Sequence, residues 1–474
     1  MKQKILFVAP HEDDEIFIGG PMIVNLLRLP EYDVHLLMTT NGDSYSFEGK
    51  TRIKELLAAT ALIGLDSEHV HFAGYGDGWK GKHIYNSEGS EVKTSAGGFT
   101  KSYLPSEIKQ EWHFERFGEH CDYTRDNFKN DIKDVVAYVE PAVILAVDMD
   151  VHSDHRAASL LLDEALGELL KERRDYCPIL LKKFAYQGVL MSKQDFFHYP
   201  HRRATIEGNY ISNPYFAWED RISYTVPADC NTLLLHSNLM YKMARKHKSQ
   251  VVWTASPAFI NSDIVYWMRN TNNAALQAEI SASSGDVRYL NDFKLVDSDN
   301  IDVREIDFSN RCWRPSDVDS APAVTVNLAE PKQVQKLNLY MNCPGGINAG
   351  ECLVKVTSDA GSTISEHRLD LSSDKDFFII KDSFDAVDSI AKVELTFCNV
   401  SGRLGISEVE LLEAETEVPF AGLLYPEDNG GEAEKKSFLL GIEKKVFRVQ
   451  KILFNRLPNR YKSARKRYDK KKSL

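Results

Sequence analysis

The sequence predicts an α/β protein with a doubly wound, mostly parallel sheet, followed by a β-sandwich and a basic amphipathic C-terminal helix. Three observations predict it. Apolar runs of strand length alternate with helix-like runs up to about residue 275. Short alternating strands separated by turns take over from about residue 280. A cationic segment with helical periodicity closes the chain. With 474 residues, 43% of them hydrophobic, the chain is long enough for two or three domains with substantial cores. The expected divisions are 1–275, 280–414 and 415–474.

The first strand, Ile5-Leu6-Phe7-Val8-Ala9, is uniformly apolar and bounded by Pro10, the pattern of a strand buried on both faces. The spacing then predicts a helix over 21–29, a strand over 34–38, and a helix carrying Arg52 and Glu55 that stops at Gly64. A short strand over 69–72 leads into the loop Gly74-Tyr75-Gly76-Asp77-Gly78. This βαβα rhythm is that of a doubly wound sheet. Residues 79–120, rich in Gly, Ser, Trp and His, read as a long functional loop, a lid over the site. A second apolar strand over 143–147 and a helix over 156–170 follow. In the second part, runs at 324–328, 336–340, 353–357 and 391–397 alternate, with turns at Pro344-Gly345-Gly346 and Asp359-Ala360-Gly361, as in a sandwich. Residues 412–434 are acidic and Gly-rich and read as a linker. In the final segment Leu439, Ile442, Val446, Val449 and Leu453 share one helical face, Lys444, Arg448 and Lys451 another, and Pro458 ends the pattern.

Charge is unevenly spread. Residues 435–474 hold 15 Lys/Arg against Glu443 and Asp469, a local +13 in a chain of net −11, which leaves −24 for the rest. Such a tail suits an anionic membrane surface, and the acidic body argues against nucleic-acid binding. Seven scattered cysteines (121, 177, 230, 312, 343, 352, 398), none in C-x-x-C spacing, exclude a disulfide framework or a cysteine-rich zinc site. A first strand beginning at residue 4 leaves no room for a signal peptide, and no apolar stretch is long enough to span a bilayer. The expected location is cytoplasmic, peripheral on the inner face of the cell membrane.

Two clusters carry the chemistry. His11-Glu12-Asp13-Asp14-Glu15 follows the first strand, and Asp150-Val151-His152-Ser153-Asp154-His155 follows the strand over 143–147. In open α/β sheets, ligands bind at the carboxyl ends of strands. A histidine and three acids crowded there cost solvation energy unless something positive sits among them, and a divalent metal is the simplest candidate. If both strands lie in one parallel sheet, His11, Asp14 and His155 converge. Three such ligands and one open position form the usual catalytic zinc arrangement, in which bound water has a pKa near 7. An acid close to the metal but not bound to it serves as base. Adjacent Asp13 and Asp14 point in different directions, so one ligand and one base is the economical division.

Pro10-His11-Glu12-Asp13-Asp14-Glu15 and His152-Ser153-Asp154-His155 resemble the two signatures of the PIG-L/LmbE-like zinc-dependent N-acetylglucosaminyl deacetylases, over roughly the first 200 residues. The resemblance implies Zn2+ on His11, Asp14 and His155, with Fe2+ also suited to a mixed N/O site. It implies Asp13 as general base to a metal-bound hydroxide, His152 as oxyanion stabiliser and Asp154 as the group orienting His152. Arg52 and Asp77 match positions that contact substrate. The implied reaction removes the acetyl group from an N-acetylated sugar or glycoconjugate, in surface glycan or glycolipid assembly. One departure stands out: Glu12 replaces a proline that would fix the turn after the histidine. Further on, Cys312-Trp313-Arg314-Pro315 and residues 324–328 resemble the opening of a discoidin-like sandwich, a module type that often binds carbohydrate. The competing expectation is a catalytically inactive, glycan-binding or membrane-tethered scaffold on the same fold.

Overall fold

The apolar runs of the first part build one sheet. The computed structural model describes residues 2–44, 48–185, 203–204, 213–232, 234–255, 259–303, 308–309, 311–384, 389–413 and 416–426; the expected terminal helix and the whole of 435–474 lie outside them. Strands β1 (Gln3–Ala9), β2 (Tyr32–Thr40), β3 (Val70–Tyr75), β4 (Val143–Val147) and β5 (Ile179–Lys183) are mutually parallel. β6 (Ile222–Thr225) and β7 (Asp263–Arg269) extend the sheet in antiparallel pairing. The order is β3-β2-β1-β4-β5-β7-β6. The chain therefore moves outward from β1 in one direction and returns to β4 on its other side. The crevice at the carboxyl ends of β1 and β4 is the topological switch point, and both His/Asp clusters sit there.

Helices cover both faces: α1 (Asp14–Leu27), α2 (Gly49–Ile63), α3 (Trp112–Phe117), α4 (Arg125–Val139), α5 (Ser153–Glu172), and the short α6 (Ala228–Asn231) and α7 (Leu239–Ala244). α1 corrects the expected start at residue 21. It begins inside the first motif and runs through Pro21. Proline normally breaks a helix because it lacks a donor and crowds the preceding turn. Here the helix is almost wholly buried, and the Tyr266 hydroxyl donates to the Ile18 carbonyl (2.7 Å) in the turn before the proline. Gly64 closes α2 in the left-handed region (φ 87°), as its position implied. Residues 79–120 are more than a lid: they carry a 3-10 turn (Ile84–Asn86) and α3, and Trp79, Tyr85 and Trp112 are core side chains.

Among the described residues, eight antiparallel strands make the second unit: β8 (Glu279–Ala282), β9 (Ala323–Lys332), β10 (Lys336–Asn342), β11 (Ile347–Ser358), β12 (Thr363–Asp370), β13 (Phe377–Ser383), β14 (Ile390–Gly402) and β15 (Ile406–Leu412). They form a five-stranded sheet, β12-β11-β14-β9-β8, and a three-stranded sheet, β13-β10-β15. The inward residues of the alternating runs, among them Val324, Val326, Leu337, Leu339, Val354 and Val393, enclose the fully buried Trp313. The connection between β8 and β9 is bound to the first domain: Arg156 of α5 donates to the carbonyls of Ile301 (2.8 Å) and Val303 (2.5 Å). After β15 the chain returns to β6, where the Tyr425 amide donates to the Ser223 carbonyl (2.8 Å), so part of the expected linker lies against the α/β sheet. Among the described residues, no helix is long and apolar enough to cross a membrane.

Candidate metal centre and active site

Local hydrogen bonding turns each motif toward the crevice. After β1, the amides of Asp13 and Asp14 both donate to the His11 carbonyl (2.9 and 3.0 Å), and the Asp14 carboxylate accepts the His11 amide (3.0 Å). This tight turn starts α1 and aims Asp14 back at His11. After β4, Asp150 accepts the His152 amide (2.9 Å), and His152 Nδ1 caps α5 by accepting from the Asp154 amide (3.3 Å). His155 thereby lies in the first turn of α5, facing β1.

The three predicted ligands meet. Asp14 Oδ2 is 3.0 Å from His11 Nδ1 and 3.1 Å from His155 Nε2, and the two nitrogens are 3.2 Å apart. Ligands at about 2.1 Å from a tetrahedral ion stand about 3.4 Å apart, so this triangle fits a zinc-sized cation with little adjustment. All three residues are buried, and Asp14 Oδ1 has no hydrogen-bond partner. The outer nitrogens are also placed for the task. His155 Nδ1 is 2.8 Å from Asp150, and His11 Nε2 lies 3.4 Å from Asp154 and 3.5 Å from Asp77. A carboxylate behind each ring would fix the tautomer that presents a bare nitrogen to a bound ion.

His152 joins the same cluster, its ring 4.7 Å from that of His11 and 4.8 Å from that of His155. It remains the most open of the three, with about a third of its side chain exposed. Asp154 is close to it (3.6 Å), but the shorter contact of Asp154 is to His83 Nε2 (2.9 Å). Arg52 and Asp77 are brought into the site and paired with each other (2.5 Å). The Arg52 guanidinium also reaches Asp13 (3.5 Å), Glu12 (3.6 Å) and Gln250 (2.8 Å). It is not a surface partner of Glu55, which instead binds the Ser249 amide and hydroxyl.

Burial and charge pull the groups apart in pKa. Burial opposes charge on His11, but Asp77, Asp14 and Asp154 outweigh it and hold the ring well above its ordinary value. Against the same burial penalty, Asp14 and Asp150 raise His155 to about 10. Asp14 is held well below the usual carboxylate range, because His155 and His11 overcome its burial. Burial and the Asp14 charge push Asp13 up to about 7 against Arg52. Burial, then the charges of His11 and His155, pull His152 down to about 4. Glu12, buried with neither carboxylate oxygen hydrogen-bonded, rises to about 8, mainly through desolvation.

Four partners escaped the sequence reading. Asp150 had a signal, an acid five residues before His155, and was seen only as part of the cluster. His83 lies on the long segment after β3 and belongs to no motif. Its amide is held by Asp302, from the connection between β8 and β9 (3.0 Å). His247 and Gln250 come from the chain after α7: His247 Nε2 binds Glu15 (2.8 Å), and Gln250 Nε2 donates to the Glu12 carbonyl (2.7 Å).

Comparison with known proteins follows the same residues. Residues 6–166, which include both clusters, match the family model "PIG-L: GlcNAc-PI de-N-acetylase". A Schizosaccharomyces pombe protein named a probable N-acetylglucosaminyl-phosphatidylinositol de-N-acetylase is 38% identical over 69 residues, covering 15% of this chain and 27% of that relative's length. Among solved structures, the lectin domain of lectinolysin complexed with Lewis B antigen is similar at 19% identity and a TM-score of 0.24, covering 30% of this chain and 97% of that one. A family 32 carbohydrate-binding module of C. perfringens NanJ, in complex with galactose, is similar at 14% identity and a TM-score of 0.23, covering 29% and 95%. The crevice motifs and the family match coincide: residues 6–166, which hold both clusters, are similar to the PIG-L family, and the chain spans about a quarter of the length of the curated relative it matches.

Proposed function

We propose that this chain is a metal-dependent hydrolase that removes the acetyl group from an N-acetylated sugar of the N-acetylglucosamine type, in surface glycan or glycolipid assembly. The observation that carries the reading is the meeting of His11 Nδ1, Asp14 Oδ2 and His155 Nε2 within 3.2 Å at the switch point of a PIG-L-type domain. These three would hold a divalent ion, Zn2+ before Fe2+ for this N/O donor set. When bound, such an ion supplies Lewis acidity and lowers the pKa of water.

The chain's own residues supply the rest. Asp13 is beside the ligands without being one of the three converging groups, and takes the proton of the attacking water. His152, the most open imidazole, donates from its ring to the acetamide oxygen as charge develops there. A C–O bond forms, the C–N bond breaks, and the proton held by Asp13 passes to the departing amine; the products are acetate and an amino sugar. Asp154 supports this arrangement from the side of His83 and His11. Arg52 holds Asp13 and Asp77 at the wall that the sugar approaches.

The test is acetate release from a panel of free, nucleotide-linked and lipid-linked N-acetyl sugars, using chelator-treated protein with and without added Zn2+. Metal-loaded Asp13→Asn should lose about 100-fold or more in turnover. Retention of most turnover removes Asp13 from the mechanism. No acetate from any substrate, with metal bound, favours the inactive scaffold. We assign the tail 435–474 to an anionic membrane on the cytoplasmic face; equal flotation with anionic liposomes with and without those residues refutes that.

A further inference from the structure

At the opposite end of the sheet, β2, β3 and the turn just before β3 gather three histidines and an aspartate. Asp33 and His35 lie two residues apart at the start of β2. His71 is the second residue of β3, with Leu37 of β2 opposite it, and His69 ends the 3-10 turn (Ser67–His69) immediately before β3. Residues two apart on a strand share a face. His71 and Tyr75 are four residues apart along β3, about 13 Å at about 3.3 Å per residue, and the crevice lies beyond Tyr75.

The buried half of the cluster is short of partners. His35 Nδ1 and His71 Nε2 are 3.1 Å apart and share one proton. His35 Nε2 and His71 Nδ1 are both buried without a hydrogen-bond partner. If His35 donates to His71, its Nε2 is bare and faces Asp33 Oδ2 at 3.5 Å, one electron-pair donor against another. A cation between them resolves that opposition. His69 completes the set: its Nδ1 is 3.6 Å from Asp33 Oδ1, and its ring centroid is 4.5 Å from that of His35. The donor atoms of Asp33, His35 and His69 all lie within 4.8 Å of one another. Tetrahedral ligands at about 2.1 Å stand about 3.4 Å apart, and the partly exposed His69 is free to close the remaining gap. Nearby charges are few: Lys4 lies toward His35 and Lys109 toward His71.

We propose that Asp33, His35 and His69 form a second, structural site for a divalent transition-metal ion of the zinc type, with His71 as the outer partner that fixes the His35 tautomer. Two imidazoles and a carboxylate suit zinc over calcium or magnesium. The ion fastens the edge strand β3 to β2, and solvent takes the fourth position.

The full-length chain is stripped with chelator, reloaded with Zn2+ and measured by elemental analysis. Two equivalents are expected per chain. His69→Ala should hold one, with acetate release at saturating Zn2+ unchanged. His155→Ala should also hold one, and its Co2+ form should keep a four-coordinate absorption spectrum that the His69→Ala/His155→Ala double variant lacks. Asp33→Asn, also at a partly exposed position, is the second probe. A zinc count that His69→Ala leaves unchanged from wild type overturns the proposal. Because the count does not depend on turnover, it stands or falls separately from the deacetylase reading.

Discussion

Replacing Asp150 by Asn isolates the carboxylate behind His155. Asp150 is fully buried; one oxygen lies 2.8 Å from His155 Nδ1 and the other accepts the His152 amide at 2.9 Å. Asparagine keeps the shape and one acceptor but removes the charge that makes the far nitrogen of His155 a better ligand. Hydrogen bonds to charged groups contribute about 1.5–3 kcal/mol. Outer partners of metal-binding histidines change affinity by about 10–100-fold, and since about 1.4 kcal/mol is a factor of ten, the two scales agree. Asp150→Asn should therefore weaken Zn2+ binding at the crevice by about 10–100-fold while turnover at saturating Zn2+ changes only a few-fold. The assay is competition against a chromophoric chelator, run in the His69→Ala background so that one site reports, with circular dichroism as the fold control. A folded variant whose affinity stays within about twofold refutes the claim that Asp150 acts through His155.

Two further predictions use groups outside the motifs. His83→Ala should remove the 2.9 Å support of Asp154 and lower kcat by about 10-fold or more, with metal content unchanged and partial rescue by His83→Asn; an unaltered kcat removes His83 from the site. Glu408 of β15 is buried with Oε1 unpaired, and burial outweighs Arg269 to hold its carboxyl well above the usual range. A raised carboxyl contributes its full stability below the unfolded pKa, about 4.5, and loses it as pH rises toward the folded value. Chemical denaturation should thus show Glu408→Gln gaining on wild type above pH 4.5, by at most about 1.4 kcal/mol per pH unit; a gap independent of pH counts against it.

The site was legible where chemistry and periodicity coincide. Two apolar runs, each followed by His and Asp, were enough to place His11, Asp14 and His155 together, because parallel strands bring their carboxyl ends to one side. Arg52 and Asp77 were found through the resemblance, and their mutual pairing was not. Position along the chain could not reveal His83, His247 or Gln250, since each reaches the crevice from an irregular segment whose course tertiary packing decides. The start of α1 was misplaced for a related reason. Spacing put the start at residue 21, while burial of nearly the whole helix and the Tyr266 bond let it run from Asp14 through Pro21. The sandwich was readable from alternation alone, because β9 buries Val324 and Val326 and leaves Ala323, Thr325 and Asn327 half-buried.

Charge at the crevice gives one more expectation. Glu12, Asp13, Asp14, Asp77, Asp150 and Asp154 are all buried there, and Arg52 is the permanent cation in contact with three of them. Burying so many carboxyls is costly unless protons or a cation offset them. Without metal, protons do so: His11 and His155 are held charged well above neutrality, and Asp13 and Glu12 sit at about 7 and about 8. Ligands must be deprotonated to bind metal, so an arriving divalent ion replaces the protons on His11 and His155 that face it. At pH 7, Zn2+ binding to the His69→Ala chain should release about two protons, one from each imidazolium. Titration calorimetry in buffers of different ionisation enthalpy measures the number. A binding enthalpy that does not vary with buffer means that no protons leave, and the offset of these carboxyls by His11 and His155 is then wrong.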